Sequence, residues 1–326
     1  MKKILSLVLV LTMILSVVPV VPVAAEVSDP GLTAHTHSDA HTCGEKCPGG
    51  AITWTAWNNT SSLPTDDGHY YLTADVQLTG TKDIDAGKDI TICLNGYNIR
   101  SASTARAVAL NGKLTISDCT AYTYNDEYIA GSVVGATCAD GAIFSVRRGG
   151  TLVLESGKLT GGKTTNTAGG GAIFMQKGTS AGAGGKMYMY GGEISGNEGY
   201  NGGAICVGGA DADCVPAAFY MYGGKITGNK ARGNGGAIYL DSRSVAVIEN
   251  GEVTENTAAA KAEAVLVSGA YAQLTVSGTT KLDGVVYTSA DNAGLKVNGL
   301  TNGATIKLTT VATDVTKMVS VAEGGK

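Results

Sequence analysis

Gly192 to Ile205 reads GEISGNEGYNGGAI, and Gly224 to Ile238 repeats it as GKITGNKARGNGGAI. Looser copies stand at Gly157 to Ile173 (GKLTGGKTTNTAGGGAI) and at Gly251 to Val265 (GEVTENTAAAKAEAV). The apolar residue near the front of the phrase recurs at Leu159, Ile194, Ile226, Val253 and Leu282. The alanine near its end recurs at Ala142, Ala172, Ala204, Ala237 and Ala264. Both series advance by 27 to 35 residues, a period that belongs to solenoids, propellers and arrays. The uneven spacing places the insertions in loops.

Within each unit the apolar residues alternate, which is the strand period. Leu152/Leu154, Met187/Met189, Phe219/Met221, Ala246/Ile248 and Leu274/Val276 precede the front landmark. Ile173/Met175, Ile205/Val207, Ile238/Leu240 and Val265/Val267 follow the glycines. The pattern predicts three short strands per turn, joined at glycine corners. That is the coil of an all-β, right-handed parallel β-helix, with isoleucines stacking inward from coil to coil at about 4.8 Å. Asn166, Asn197, Asn229 and Asn256 follow the landmark strand and are expected to form a ladder of side-chain amides at the turn.

The phrases MYGGEISGN and GGAIYL, with upstream ITWTAW, LPTDDGHYYLTADV and ICLNGYNI, resemble β-helical, pectin-lyase-like surface proteins of Gram-positive gut anaerobes. The GGAI unit is also similar to the repeats of chlamydial polymorphic membrane proteins. The resemblance runs from Ile52 to Gly284. It implies the β-helix architecture and, by analogy, an adhesin-like role.

Composition narrows the partners. The chain holds 47 glycines but only 6 prolines, and its 44% hydrophobic content argues against disorder. The net charge of −4, without a basic block beyond Lys2 and Lys3, excludes the concentrated positive face that nucleic acid needs. Lys2, Lys3 and the apolar run Ile4 to Val21 read as an export signal over 1–25, cleaved after Ala25. The expected localisation is extracellular or at the cell surface, with the membrane engaged only through the signal before cleavage. A His/Cys-containing linker is expected over 26–50, an N-terminal cap over 51–80, the β-helix over 81–300, and a C-terminal strand and tail over 301–326. The chain ends TKMVSVAEGGK without an S-layer module, sorting motif or dockerin, which leaves secretion and truncation both open.

His35, His37, His41, Cys43 and Cys47 form a tract of imidazole and thiol donors, a candidate zinc site alongside the plainer reading of a Cys43–Cys47 disulfide. Cys93 and Cys119 lie 26 residues apart, near the repeat length, and are a candidate bridge between adjacent turns. Cys206 and Cys214 are a candidate bridge closing a loop. Asp211 and Asp213 offer calcium at most a weak site.

The coil alignment places Tyr188 beside Tyr220 and Tyr190 beside Tyr222, both pairs pointing outward. Two exposed tyrosine ladders are expected, a strip for sugar rings or protein, walled by loops 178–185 and 208–216. No catalytic residue is assigned. Glu155/Glu249 and Lys158/Glu193/Lys225/Glu252 read as a solvated face of mixed sign, and Asp66-Asp67-Gly68-His69 lies outside the coils. The leading expectation is a non-catalytic adhesin or glycan binder whose partner is a polysaccharide, a mucin or a host or bacterial surface glycoprotein, with no cofactor. The alternatives are a polysaccharide lyase or glycoside hydrolase on the same scaffold, and a structural module of a larger surface protein.

Overall fold

The computed structural model describes residues 35–36, 42–43, 54–167, 169–287, 293–308 and 319–322. Among them the chain is all strand, with no helix, and it winds as a right-handed parallel β-helix. Each coil contributes one rung to a first sheet of eleven strands, running from Trp54–Trp57 to Val319–Ala322. The landmark strands and the GGAI strands form two further columns. The long strand Lys281–Tyr287 pairs with both columns and so joins them into one sixteen-stranded sheet. The expected three strands per coil are all present. Five coils add a fourth short strand at Thr137–Cys138, Lys163–Thr164, Glu198–Asn201, Lys230–Asn234 and Thr257–Ala258.

Register follows the repeat. Leu152, Met187, Phe219, Ala246 and Leu274 are successive partners along the first sheet, and Leu159, Ile194, Ile226, Val253 and Leu282 along the landmark column. All ten are fully buried. Phe219 is followed by Ala246, so a large side chain is offset by a small one and the stack stays filled without strain. Over the expected cap, Trp54–Trp57 and Gly68–Leu72 form the first two rungs of the first sheet. Trp57 and Tyr70 pack against the end of the core, and the Trp57 indole donates to the Ser62 carbonyl at 2.8 Å.

The glycines before the alanine are there because backbones approach closely. A Cβ at Gly203 would collide with the carbonyl oxygen of Gly236 in the next coil. Gly235 has φ +64°, a conformation that side chains rarely adopt.

The asparagine ladder is present, with one member replaced. Asn197, Asn229 and Asn256 are buried, and each passes an amide to the next: Asn197 Nδ2 donates to Asn229 Oδ1 at 2.9 Å and Asn229 Nδ2 to Asn256 Oδ1 at 3.0 Å. Their Nδ2 groups also donate to the carbonyls of Leu159, Ile194 and Ile226. Asn166 is exposed and does not join. The position three residues after Leu159, where the ladder runs, is Gly162, whose N–H donates to Asn197 Oδ1 at 2.9 Å. The column of charges at Lys158, Glu193, Lys225, Glu252 and Lys281 is likewise set by register and alternates in sign. It carries ion pairs Lys158–Glu193 at 3.5 Å, Lys225–Glu252 at 3.6 Å and Lys281–Glu252 at 2.7 Å.

Replacing Asn229 with leucine leaves the buried Asn197 N–H and amide without their acceptor. The expected cost is about 2–4 kcal/mol in chemical denaturation, against less than about 0.5 kcal/mol for Asn166→Ala. Equal costs at the two positions would show that the ladder does not hold the turn.

Candidate functional site

Each rung of the first sheet points two side chains outward. One outward column runs Val153, Tyr188, Tyr220, Val247, and the neighbouring one runs Glu155, Tyr190, Tyr222, Glu249. Tyr188 stacks on Tyr220 with ring centroids 5.1 Å apart and planes 11° from parallel, and Tyr190 stacks on Tyr222 at 5.3 Å and 17°. The tyrosines therefore pair as the alignment predicts, and Tyr190, Tyr220 and Tyr222 are half-buried. Each pair covers a ring face within its own column, and Tyr188 is only 6% exposed. Sugar stacking needs a free ring face, so this arrangement suits cross-strand packing better than ligand capture. Burial pushes the Tyr188 hydroxyl up to about 12, with Tyr220 and Tyr222 adding to the shift, and burial raises Tyr220 as well.

The loops expected to wall this strip are tied to each other at another corner of the coil. Gly178 N–H donates to the Gly209 carbonyl at 3.1 Å, Asp211 N–H to the Gly178 carbonyl at 3.0 Å, and Lys177 Nζ pairs with Asp211 at 2.8 Å. They border the outer face of the GGAI strands. There the middle residue of each strand points out, giving a column Ser145, Phe174, Cys206, Tyr239, Leu266. A cavity of ≈ 200 Å³ opens on it, lined by Phe174, Lys177, Asn201, Cys206, Gly208, Tyr239 and Asp241. Phe174 and Tyr239 stand two rungs apart, with the smaller Cys206 between them. The Tyr239 hydroxyl hydrogen-bonds Ser268 Oγ at 3.1 Å on the far side. Burial pushes the Cys206 thiol strongly upward, and the negative charges of Asp241 and Asp140 act in the same direction. The thiol form is therefore favoured at neutral pH.

This groove was legible in GGAIFM, GGAICV and GGAIYL, whose fifth letters stand between two inward apolar residues. The expected Cys206–Cys214 bridge is absent, since Cys214 is a free thiol out in the loop. Cys93 and Cys119 are juxtaposed as the spacing predicts, with Cys119 N–H at 3.4 Å from Cys93 Sγ. Of the proposed zinc tract, His37, His41 and Cys47 lie outside the described residues, as does the export signal. His35 and Cys43 are register partners in a short antiparallel pair.

The aligned acids do not assemble a glycosidase pair. Glu155 and Glu249 are three rungs apart in one column, about 14 Å by rung spacing. Retaining and inverting glycosidases place their carboxyls about 5 to 9.5 Å apart. Asp67 Oδ1 accepts from Asp89 N–H at 2.8 Å, and the His69 ring sits edge-on to Trp54 at 5.3 Å with its pKa lowered by burial. Both act as structural contacts. Asp211 is taken by Lys177, away from any calcium site with Asp213.

Compared with protein families, with curated proteins and with solved structures, the chain matches none.

Glu155, half-buried beside Tyr190, has its carboxyl raised from 4.5 to about 7, chiefly by burial, with Lys113 opposing. The folded state thus holds this proton more tightly than the unfolded chain. Stability present below pH 4.5 is lost as pH rises toward 7 and stays lost above it. Glu155→Gln is expected to match the parent at pH 4 and to exceed it by about 2–3 kcal/mol at pH 8. An unchanged difference across that range, measured by thermal unfolding, would mean that Glu155 titrates normally.

Proposed function

We propose that the chain is an exported, surface-presented β-helix that binds carbohydrate without cleaving it, and that it does so in the groove on the GGAI face. The observation that carries this reading is the column Phe174–Cys206–Tyr239. Two rungs separate the aromatic backbones by about 9.6 Å. A ring held between two aromatic side chains needs two contacts of about 3.5–4.0 Å, about 7–8 Å in all, which that gap accommodates. Around the gap stand Lys177 as a donor, Asp241 as an acceptor and Asn201 as both, a set that matches the mixed polarity of sugar hydroxyls. The cavity, at ≈ 200 Å³, is smaller than the usual drug-sized site and is on the scale of one sugar residue. The partner class is accordingly a polysaccharide, a mucin or a surface glycoprotein presenting a terminal or protruding sugar. Repetition of such a protein on a cell surface would raise avidity beyond the affinity of one small groove.

The test is co-sedimentation of the chain with insoluble plant polysaccharides and immobilised mucins, with the supernatant assayed for released oligosaccharides. Retention is expected without release. Phe174→Ala and Asn201→Ala are each expected to weaken it about fivefold, in line with about 1 kcal/mol per aromatic or polar contact, while Tyr188→Ala leaves it unchanged. Released oligosaccharides would establish the lyase or hydrolase reading instead. Retention that depends on Tyr188 would return the site to the first sheet, and no retention on any material would favour a structural module.

A further inference from the structure

At the N-terminal end of the solenoid, Cys93 closes the strand Asp89–Cys93, and its register partner in the next coil is Ser117. Two residues beyond that partner stands Cys119, with Asp118 between. One donor atom from each of Cys93, Asp118 and Cys119 lies within 4.8 Å of the others. Cys93 is fully buried, Asp118 nearly so at 4% exposure, and Trp54 and Tyr71 pack beside the sulfurs. We propose that these three side chains form a site for a soft divalent cation, zinc or cadmium, that clamps the two coils together.

The geometry fits the ion. Zn–S distances of about 2.3 Å at tetrahedral angles place two sulfurs about 3.8 Å apart, inside the observed spread, so small side-chain adjustments suffice. Asp118 is held in place from several directions. Its Oδ1 accepts from Gly96 N–H at 3.1 Å, Thr120 N–H at 2.9 Å and Thr120 Oγ1 at 2.8 Å, while Oδ2 accepts only from Gly131 N–H. Oδ2 therefore keeps a lone pair for a metal. The fourth donor is Asn95, whose Oδ1 lies 3.4 Å from Cys119 Sγ. Its Nδ2 donates to the Leu72 carbonyl at 3.0 Å, which turns the amide oxygen toward the cysteine. Such outer contacts orient ligands at metal sites. Two thiols exclude calcium and magnesium, which prefer all-oxygen shells. Binding releases two protons: each thiol S–H gives up its hydrogen and each thiolate forms one bond to the cation, with no change of oxidation state.

The site is distinct from the His35–Cys47 tract, so the test removes that tract's donors. In the full chain carrying His35→Ala, His37→Ala, His41→Ala, Cys43→Ser and Cys47→Ser, kept reduced, titration with Co²⁺ is expected to give one equivalent with visible tetrahedral bands. Zn²⁺ should displace it and raise the unfolding temperature. Cys119→Ser, at the less buried position, is expected to abolish the bands, and Cys93→Ser likewise. Cys138→Ser and Cys214→Ser should keep the full equivalent. Absence of tetrahedral Co²⁺ bands in the tract-free chain would overturn the proposal. So would bands that survive Cys119→Ser in a variant whose unfolding transition shows it to be folded.

Discussion

The parallel hydrogen-bond ladder fixes the rise from coil to coil, and nearly everything else in this molecule follows from that spacing. Once adjacent strands lie about 4.8 Å apart, a side chain meets its counterpart one repeat away at van der Waals range. Like must therefore tolerate like. Inside, isoleucine on isoleucine satisfies this at Ile194 and Ile226, and methionine on methionine at Met189 and Met221. At the turn, the amide of asparagine is suited to it because one group is both donor and acceptor, so Asn197, Asn229 and Asn256 can extend a chain of bonds without a terminus in the interior. Charges cannot stack on their own sign, and the column Lys158, Glu193, Lys225, Glu252, Lys281 alternates accordingly.

That same rule explains what the sequence made legible. Alternation of apolar residues identifies the inward positions, and the repeat identifies the partner of each, so core and register can be read together. The rule also says where reading stops. Asn166 looked like a ladder member because it follows a landmark strand, yet the ladder position is fixed by its distance from the landmark, three residues, and that position in its coil is Gly162. A Cβ there would press on the Gly171 carbonyl and on Asn197 Oδ1, so the first rung is made by a backbone N–H rather than an amide. The fourth short strand was missed because its residues, such as Lys163–Thr164 and Thr257–Ala258, are too few and too polar to show a period.

The same rule separates the two outward aromatic columns. An outward direction alone does not leave an aromatic ring without a neighbour. In a solenoid, however, an outward tyrosine above another tyrosine is already in contact with its best partner. Tyr188 and Tyr220 satisfy each other, whereas Phe174 and Tyr239 are kept apart by Cys206. The useful signal is thus a large–small–large sequence along a column, and neither composition nor periodicity within one repeat reveals it.

Quantised spacing also bears on catalysis. Carboxyl groups in one column can be separated only by whole rungs: about 5, 10 or 14 Å, before side-chain bending. One rung gives the separation of a retaining pair, and two rungs approach the upper limit of an inverting pair. A hydrolase on this scaffold would need acids on adjacent rungs or flanking a single small residue. Glu155 and Glu249 are instead divided by two tyrosines that fill the intervening rungs. At the place where this chain does leave a two-rung gap with a small residue in its floor, the flanking side chains are Phe174 and Tyr239 rather than acids. Aromatic walls can hold a ring, and the burial that builds the slot raises the Tyr239 hydroxyl beyond its ordinary value. On the reading proposed above, the column spacing that forms the groove suits retention of a sugar.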